Sequence, residues 1–383
     1  MAKRFNLTGT KTLLSHDQAR ARSLRARATS TKVGTDFVED ANGNVPVDNQ
    51  VVSYVASVGV GNPPTTYSLI VDTGSSNTWV GAGTPYVATS SSSRTRDSVS
   101  VTYGSGSFSG YEYLDTVTLG SDLTIVNQSI GVADTSDGFD GVDGILGIGP
   151  TGLTLGTLSP DALAEIPTVT DSLASQGDIS SDSIGISFEP TDSPEVVNGE
   201  LTFGGTDPHK FTGSITYTPV TSIPPASQYF GIAQGIRYGS PTGTAILSST
   251  VGIVDTGTTL TLIASDAFNK YRRATGAVED DTTGLLRLTQ AQFKNLKSLF
   301  FHIGGIDYEL TPNAQIWPRA LNTAIGGDAN TVYLIVGDVG TPSGSGLDFI
   351  DGLTFLERFY AVFDSTNHRV GFATTPFTDA TTN

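Results

Sequence analysis

One short pattern is written twice in this chain, once in each half, and it constrains the fold more than any bulk property does. Leu69-Ile70-Val71-Asp72-Thr73-Gly74-Ser75-Ser76 returns as Gly252-Ile253-Val254-Asp255-Thr256-Gly257-Thr258-Thr259. Farther along, Ile145-Leu146-Gly147 has a looser partner in Ile350-Asp351-Gly352. Two copies of one lobe account for the repeat, and also for a length of 383 residues, which is too long for one ordinary core. The halves are expected to meet near residues 208–216.

The local pattern is that of strands. From Val51 to Val60 apolar residues alternate imperfectly and stop at the turn Gly61-Asn62-Pro63-Pro64, and similar short runs continue to the end. The 44 glycines and the Ser/Thr-rich connections fit many short strands and turns. Helices are expected over residues 11–27, over 265–274, over 171–176 ending at Gly177, and from the capping box Thr289-Gln290-Ala291-Gln292 toward Leu299. Ala28 to Asn44 reads as a polar linker. No apolar run reaches membrane-spanning length.

In each repeat, apolar residues before the aspartate place it at the end of a buried strand, and the glycine two positions on permits a tight turn and close backbone approach. The hydroxyls of Thr73 and Thr256 can tie the two loops together, while Ser75 and Thr258 can bond the carboxylate edges. One copy would also suit a plain capped turn; two copies, one per half, predict a pair of facing carboxyls. Such a pair cannot ionise fully, so one member keeps a proton. The ionised member can activate a water as general base, while the protonated one hydrogen-bonds a peptide carbonyl. That chemistry calls for no metal and no cofactor.

These loops and their neighbours resemble the pepsin family of eukaryotic aspartic endopeptidases. The likeness runs from about Asn44 to Phe377, through Asn77-Thr78-Trp79-Val80, Tyr103-Gly104-Ser105-Gly106, Val142-Asp143-Gly144-Ile145-Leu146-Gly147, Gly199-Glu200-Leu201-Thr202-Phe203-Gly204-Gly205 and Phe359-Tyr360-Ala361-Val362-Phe363-Asp364. Absent cysteine and Ser/Thr-rich loops look most like its fungal, basidiomycete branch. The resemblance implies a mainly all-β, bilobal acid protease fold, with residues 41–210 as the N-terminal lobe and 211–383 as the C-terminal lobe. It implies an acid endopeptidase that prefers hydrophobic residues around the cut, with Asp72 and Asp255 as the catalytic pair sharing a proton as that family's pair does. Thr73, Gly74, Ser75, Thr256, Gly257 and Thr258 would support them. Tyr103, Gly104 and Ser105 would form a flap over the substrate, with Trp79 as hydrogen-bond partner of Tyr103, and Ile145 and Phe139 would line the pocket before the scissile bond. Ser105 stands where several fungal members carry an acid, which implies poor cleavage after Lys. Protein and peptide substrates, and peptide inhibitors that mimic the tetrahedral intermediate, are the partners implied, for a secreted monomer whose signal peptide is not legible in this sequence. Asn6 and Asn127 fit the N-glycosylation pattern.

Charge adds a further element. Residues 1–32 hold 8 of the 21 basic residues and only Asp17 among the acids, a net of +7, while the remainder stands at −24. An acidic body would repel nucleic-acid phosphate, so the arm is expected to fold back on its own body. The resemblance makes residues 1–40 a propeptide, with Lys32, chosen over Arg27, as the cation across the two aspartates. Two departures from the family are visible. Disulfides are impossible without cysteine. The second apolar-Gly loop reads Ile350-Asp351-Gly352-Leu353 where the family has Ile-Leu-Gly-Asp, so its acid stands two positions early. Rival chemistries find no motif: no Gly-x-Ser-x-Gly, no His-Glu-x-x-His and no phosphate loop occur. The remaining alternative is a pepsin-like binding protein without activity, which would be expected to lack an aspartate or the flap tyrosine.

Overall fold

The computed structural model describes residues 12–27, 42–104 and 106–383, and these form two lobes whose regular structure is mainly strands. The repeat in the sequence is a repeat in the topology. In the N-terminal lobe, strand Thr65–Asp72 ends on Asp72, and strand Gly144–Gly147 lies between it and Trp79–Val80, parallel to the first and antiparallel to the second. In the C-terminal lobe, Phe349–Asp351 lies in the same way between Thr244–Val254 and Thr261–Ile263. Val71 pairs with Leu146, and Val254 with Asp351, so the looser of the two sequence matches is also a structural one.

A sheet of 14 strands carries the N-terminal lobe and continues past it. Strand Ser183–Ser187 pairs with Phe359–Asp364, which pairs with Arg369–Thr374, which pairs with Thr212–Pro219. The last strands of the chain therefore share hydrogen bonds with the first lobe. A second sheet of seven strands carries the C-terminal site. The flap is a hairpin of Ser93–Thr102 and Ser107–Leu119, closed by Tyr103 N–H on the Gly106 carbonyl at 2.7 Å.

The helices form where their apolar faces find a wall. Leu13–Arg27 (α1) buries Leu13, Ala21 and Leu24. Val169–Gln176 carries a Thr168–Asp171 capping box and stops at left-handed Gly177. Ser265–Thr275 buries Ala267, Phe268 and Tyr271, with Ala264 rather than Ser265 at its cap and no side-chain bond there. The Thr289 box is present, but its helix, Gln290–Phe293, buries nothing and ends after one turn. The expected linker is shorter at its far end, since Gly43 and Asn44 already belong to strand Gly43–Asn49; residues 28–41 lie outside the described residues.

Several carboxyls are sealed inside this core. Glu112 accepts Ser129 Oγ at 2.7 Å on one oxygen, has no partner among the described residues on the other, and is pushed up to about 7 by burial. Below its ordinary range the carboxyl is protonated whether folded or not. As pH rises to about 7, the unfolded chain gives up the proton that the fold retains, so stability falls by about 3 kcal/mol. Glu112→Gln is expected to remove that loss. In urea unfolding, the stability gap between variant and parent should change by about 3 kcal/mol from pH 4 to pH 8; a gap that stays constant with pH contradicts this account.

Candidate active site

Local chain geometry brings both aspartates to one point between the lobes. Asp72 and Asp255 are buried, and each is held by its own loop. Ser75 Oγ donates to Asp72 Oδ2 and Thr258 Oγ1 to Asp255 Oδ2, both at 2.5 Å. Gly74 N–H donates to Asp72 Oδ1 at 2.9 Å and Gly257 N–H to Asp255 Oδ1 at 3.1 Å. The two threonines lock the loops reciprocally: Thr73 N–H donates to Thr256 Oγ1 at 2.9 Å, and Thr256 N–H to Thr73 Oγ1 at 3.0 Å. Their hydroxyls then donate across the interface to the carbonyls of Val254 and Val71. Glycine is required in both loops, because a Cβ on Gly74 would stand 2.6 Å from Asp255 Oδ1, and one on Gly257 2.6 Å from Asp72 Oδ1.

The space in front of the carboxylates is filled by α1. Arg20 Nη2 donates to Asp72 Oδ1 at 2.5 Å and to Asp255 Oδ1 at 2.9 Å, while its Nε donates to Asp255 Oδ2 at 2.7 Å. Burial pushes the Asp255 carboxyl up, but the Arg20 charge and hydrogen bonds, helped by Thr258 and Gly257, outweigh it and hold it below its ordinary range. In the same way, burial opposes the Arg20 charge and the two carboxylates overcome that, so the guanidinium stays charged. One turn earlier, Asp17 is fully buried and accepts the backbone N–H of Leu260 at 2.7 Å and of Thr259 at 3.4 Å. Gln18 and Arg25 donate to the carbonyls of Asp338, Val339 and Leu347, and Tyr229 Oη donates to the Leu24 carbonyl at 2.7 Å. Gly104 of the flap rests on the helix, leaving a Cβ there only 2.1 Å from Arg20 Cα.

A family model of the eukaryotic aspartyl proteases matches residues 53–375. The chain belongs to that family. Among its relatives, polyporopepsin from Irpex lacteus is 70% identical over 343 residues, 90% of this chain and 100% of the relative. The crystal structure of the aspartic proteinase from Irpex lacteus superposes with a TM-score of 0.88 over the same shares of the two chains. Gastricsin from Cavia porcellus is 31% identical, covering 86% of this chain and 82% of the relative. The protein is thus a pepsin-like aspartic endopeptidase, and nothing among its relatives supports an inactive binding protein.

In this protease the sequence-predicted pocket residues do meet. Ile70, Tyr103, Phe139 and Ile145 line a cavity of ≈ 60 Å³ that Leu13 and His16 of α1 cover. Trp79 stands behind this wall, fully buried, stacked on Phe108 at 4.2 Å and edge-on to Phe139 at 4.8 Å. The Trp79 indole Nε1 and the Tyr103 phenol Oη, expected to be hydrogen-bond partners, are both buried, and the two rings lie 6.5 Å apart. The flap is seated on α1, and Arg27 lies over the Tyr103 ring while donating to the Thr102 carbonyl. Burial pushes the Tyr103 phenol up, with Arg27 opposing.

Lys32, Ser105 and Asn6 lie outside the described residues. The cation that bridges the two aspartates is Arg20 in place of the expected Lys32, and Arg27 lies on the flap. A signal for this existed: Leu13, Asp17, Arg20 and Leu24 follow one another at spacings of 4, 3 and 4, which puts them on one helix face. Asn127 is exposed, at φ +57° within strand Leu123–Asp137. Asp143 acts as a turn acid, accepting the N–H groups of Ser68 and Thr84. No cluster of metal-ligating side chains occurs among the described residues, and no described helix is long and apolar enough to cross a membrane.

Proposed function

We propose that Asp72 and Asp255 are the catalytic pair of this endopeptidase, and that residues 1–40 are a propeptide whose helix α1 holds the enzyme latent, ahead of lobes at 41–210 and 211–383. The observation that carries this reading is the Arg20 guanidinium bonded to both carboxylates. With α1 in place neither carboxylate can reach a water or a scissile carbonyl, and the helical backbone presents no extended peptide to the flap. Once α1 leaves, the two carboxylates face each other without a cation, and one must hold a proton. The ionised carboxylate takes a proton from the attacking water, and the protonated one donates to the carbonyl oxygen as negative charge develops there. Ser75 and Thr258 keep the outer oxygens fixed, so the inner oxygens meet the substrate. Ile70, Phe139 and Ile145 provide an apolar wall, which favours hydrophobic residues beside the cut.

Acid is the release signal in this reading. The Arg20–Asp255 contact depresses the carboxyl, so its stabilisation is present above the ordinary range and is lost as pH falls through the lowered value. The protein is expected to be secreted and monomeric, acting on proteins at acid pH. Shifting the full chain from pH 7 to acid should expose proteolytic activity together with loss of roughly the first 40 residues, read by N-terminal sequencing. Full activity with Met1 still in place would defeat the propeptide assignment.

A further inference from the structure

Behind Asp255 lies a carboxyl that the reaction does not use. Asp351 is 0% exposed, paired on one side with Val254 and on the other with Thr261, and its carbonyl accepts the Asp255 N–H at 3.1 Å. Gln234, 1% exposed on strand Gly231–Tyr238, donates its Nε2 to Asp351 Oδ1 at 3.1 Å. The other oxygens of the pair, Asp351 Oδ2 and Gln234 Oε1, are both buried, and neither has a hydrogen-bond partner among the described residues. Two unpaired acceptors on two residues already joined by one hydrogen bond are one proton short of a closed ring. A hydrogen on Asp351 Oδ2, donated to Gln234 Oε1, satisfies both and completes a cyclic acid–amide pair.

The topological repeat isolates this feature. By register, Val58 and Leu146 of the N-terminal lobe occupy the places of Gln234 and Asp351, and both are fully buried. One lobe thus supports its aspartate with two apolar side chains, the other with a polar pair whose bonding depends on a proton.

We propose that Asp351 and Gln234 form a proton-bearing lock under the Asp255 loop, closed while Asp351 is protonated and opened when it ionises. Burial pushes Asp351 up to about 8, against the Gln234 hydrogen bond. The surrounding elements bring little opposing charge. Asp255 follows strand Thr244–Val254; Arg237, on Gln234's own strand, is exposed and donates to the Gly243 carbonyl; His302 on Leu299–Ile303 is exposed. Asp348 precedes Asp351 and is engaged by Thr250, Gly344 and Ser345; Glu357 and Arg358 follow the helix Leu353–Leu356. Strand Thr261–Ile263 brings no charge. An ionised Asp351 would leave one carboxylate oxygen and one amide oxygen buried without a donor among the described residues, beneath the backbone that holds Asp255.

The test is Asp351→Asn, which supplies a permanent donor for Gln234 Oε1 and keeps the acceptor for Gln234 Nε2. Parent and variant full chains are unfolded with urea at half-unit steps from pH 5 to pH 7.5. Over that range the parent loses on unfolding one proton that the variant does not have. The ratio of unfolding constants, parent over variant, is expected to grow about tenfold per pH unit. A ratio independent of pH overturns the lock, even if the variant is uniformly more stable. Should Asp351→Asn fail to fold, the double change Gln234→Val with Asp351→Leu, copying the other lobe, is held to the same criterion.

Discussion

Asp255→Asn is expected to lower kcat at acid pH by at least about a thousandfold, with KM little changed. Two roles depend on the pair, proton removal from water and proton donation to the carbonyl, and each is ordinarily worth a hundredfold or more. An amide in place of Asp255 can share no proton with Asp72, so both roles fail together. The fold should survive, because Asn can still accept from Thr258 Oγ1 and Gly257 N–H through its carbonyl oxygen. Hydrolysis of a denatured protein substrate, with circular dichroism on the same sample, reads both quantities. The same loss is expected for Asp72→Asn. Near-parental turnover by either variant would remove that residue from the mechanism.

Arg20→Ala carries the second large effect, on latency. Removing one partner of a buried ion pair leaves uncompensated charge, at a cost of about 3–5 kcal/mol. Here it would leave two buried carboxylates facing each other under α1. The closed arrangement should lose roughly 150-fold to 5,000-fold of its advantage over the open one. A fluorescent peptide bearing a tetrahedral hydroxyl at the scissile position reports this near pH 6.5, with mass spectrometry confirming that the chain is uncut. Uptake should be faster than in the parent by about that factor. Arg20→Lys should fall between, since an ammonium cannot reproduce the forked donation to both carboxylates. If Arg20→Ala takes up the probe no faster than the parent, the guanidinium is not what keeps the cleft shut.

The parts of the site that a local pattern encodes were legible in the sequence. Asp72, Asp255 and their hydroxyl and glycine neighbours lie within a few positions of one another, so spacing alone predicts the loop chemistry. Ile145, Phe139 and Tyr103 were reachable through the same motif order. What escaped were contacts set by the path of the chain through space. That Arg20 is the bridging cation depends on where α1 crosses the cleft, and Asp17, the one acid of the basic arm, has a role only because the chain brings Thr259 and Leu260 beside it. The Thr289 box was read correctly as a cap, but a cap cannot sustain a helix that buries no face. Trp79 and Tyr103 are neighbours, as expected, and the flap that carries Tyr103 is seated on α1, a contact that no local pattern announces.

The strand pairing between the lobes sets an order of events during synthesis. Ile184 must wait for Phe363, 179 positions later, before strand Ser183–Ser187 has its second neighbour. At ordinary ribosomal speed that wait is roughly 10–40 s. Through it, a strand that is buried along its whole length in the finished protein presents an open edge, the kind of surface on which chains stick to one another. Helix α1 precedes both lobes in the chain, yet it cannot dock until residues 338–347 exist to receive Gln18 and Arg25. The nascent chain therefore stays open at both ends of its hydrogen-bond network until nearly the last strand has left the ribosome.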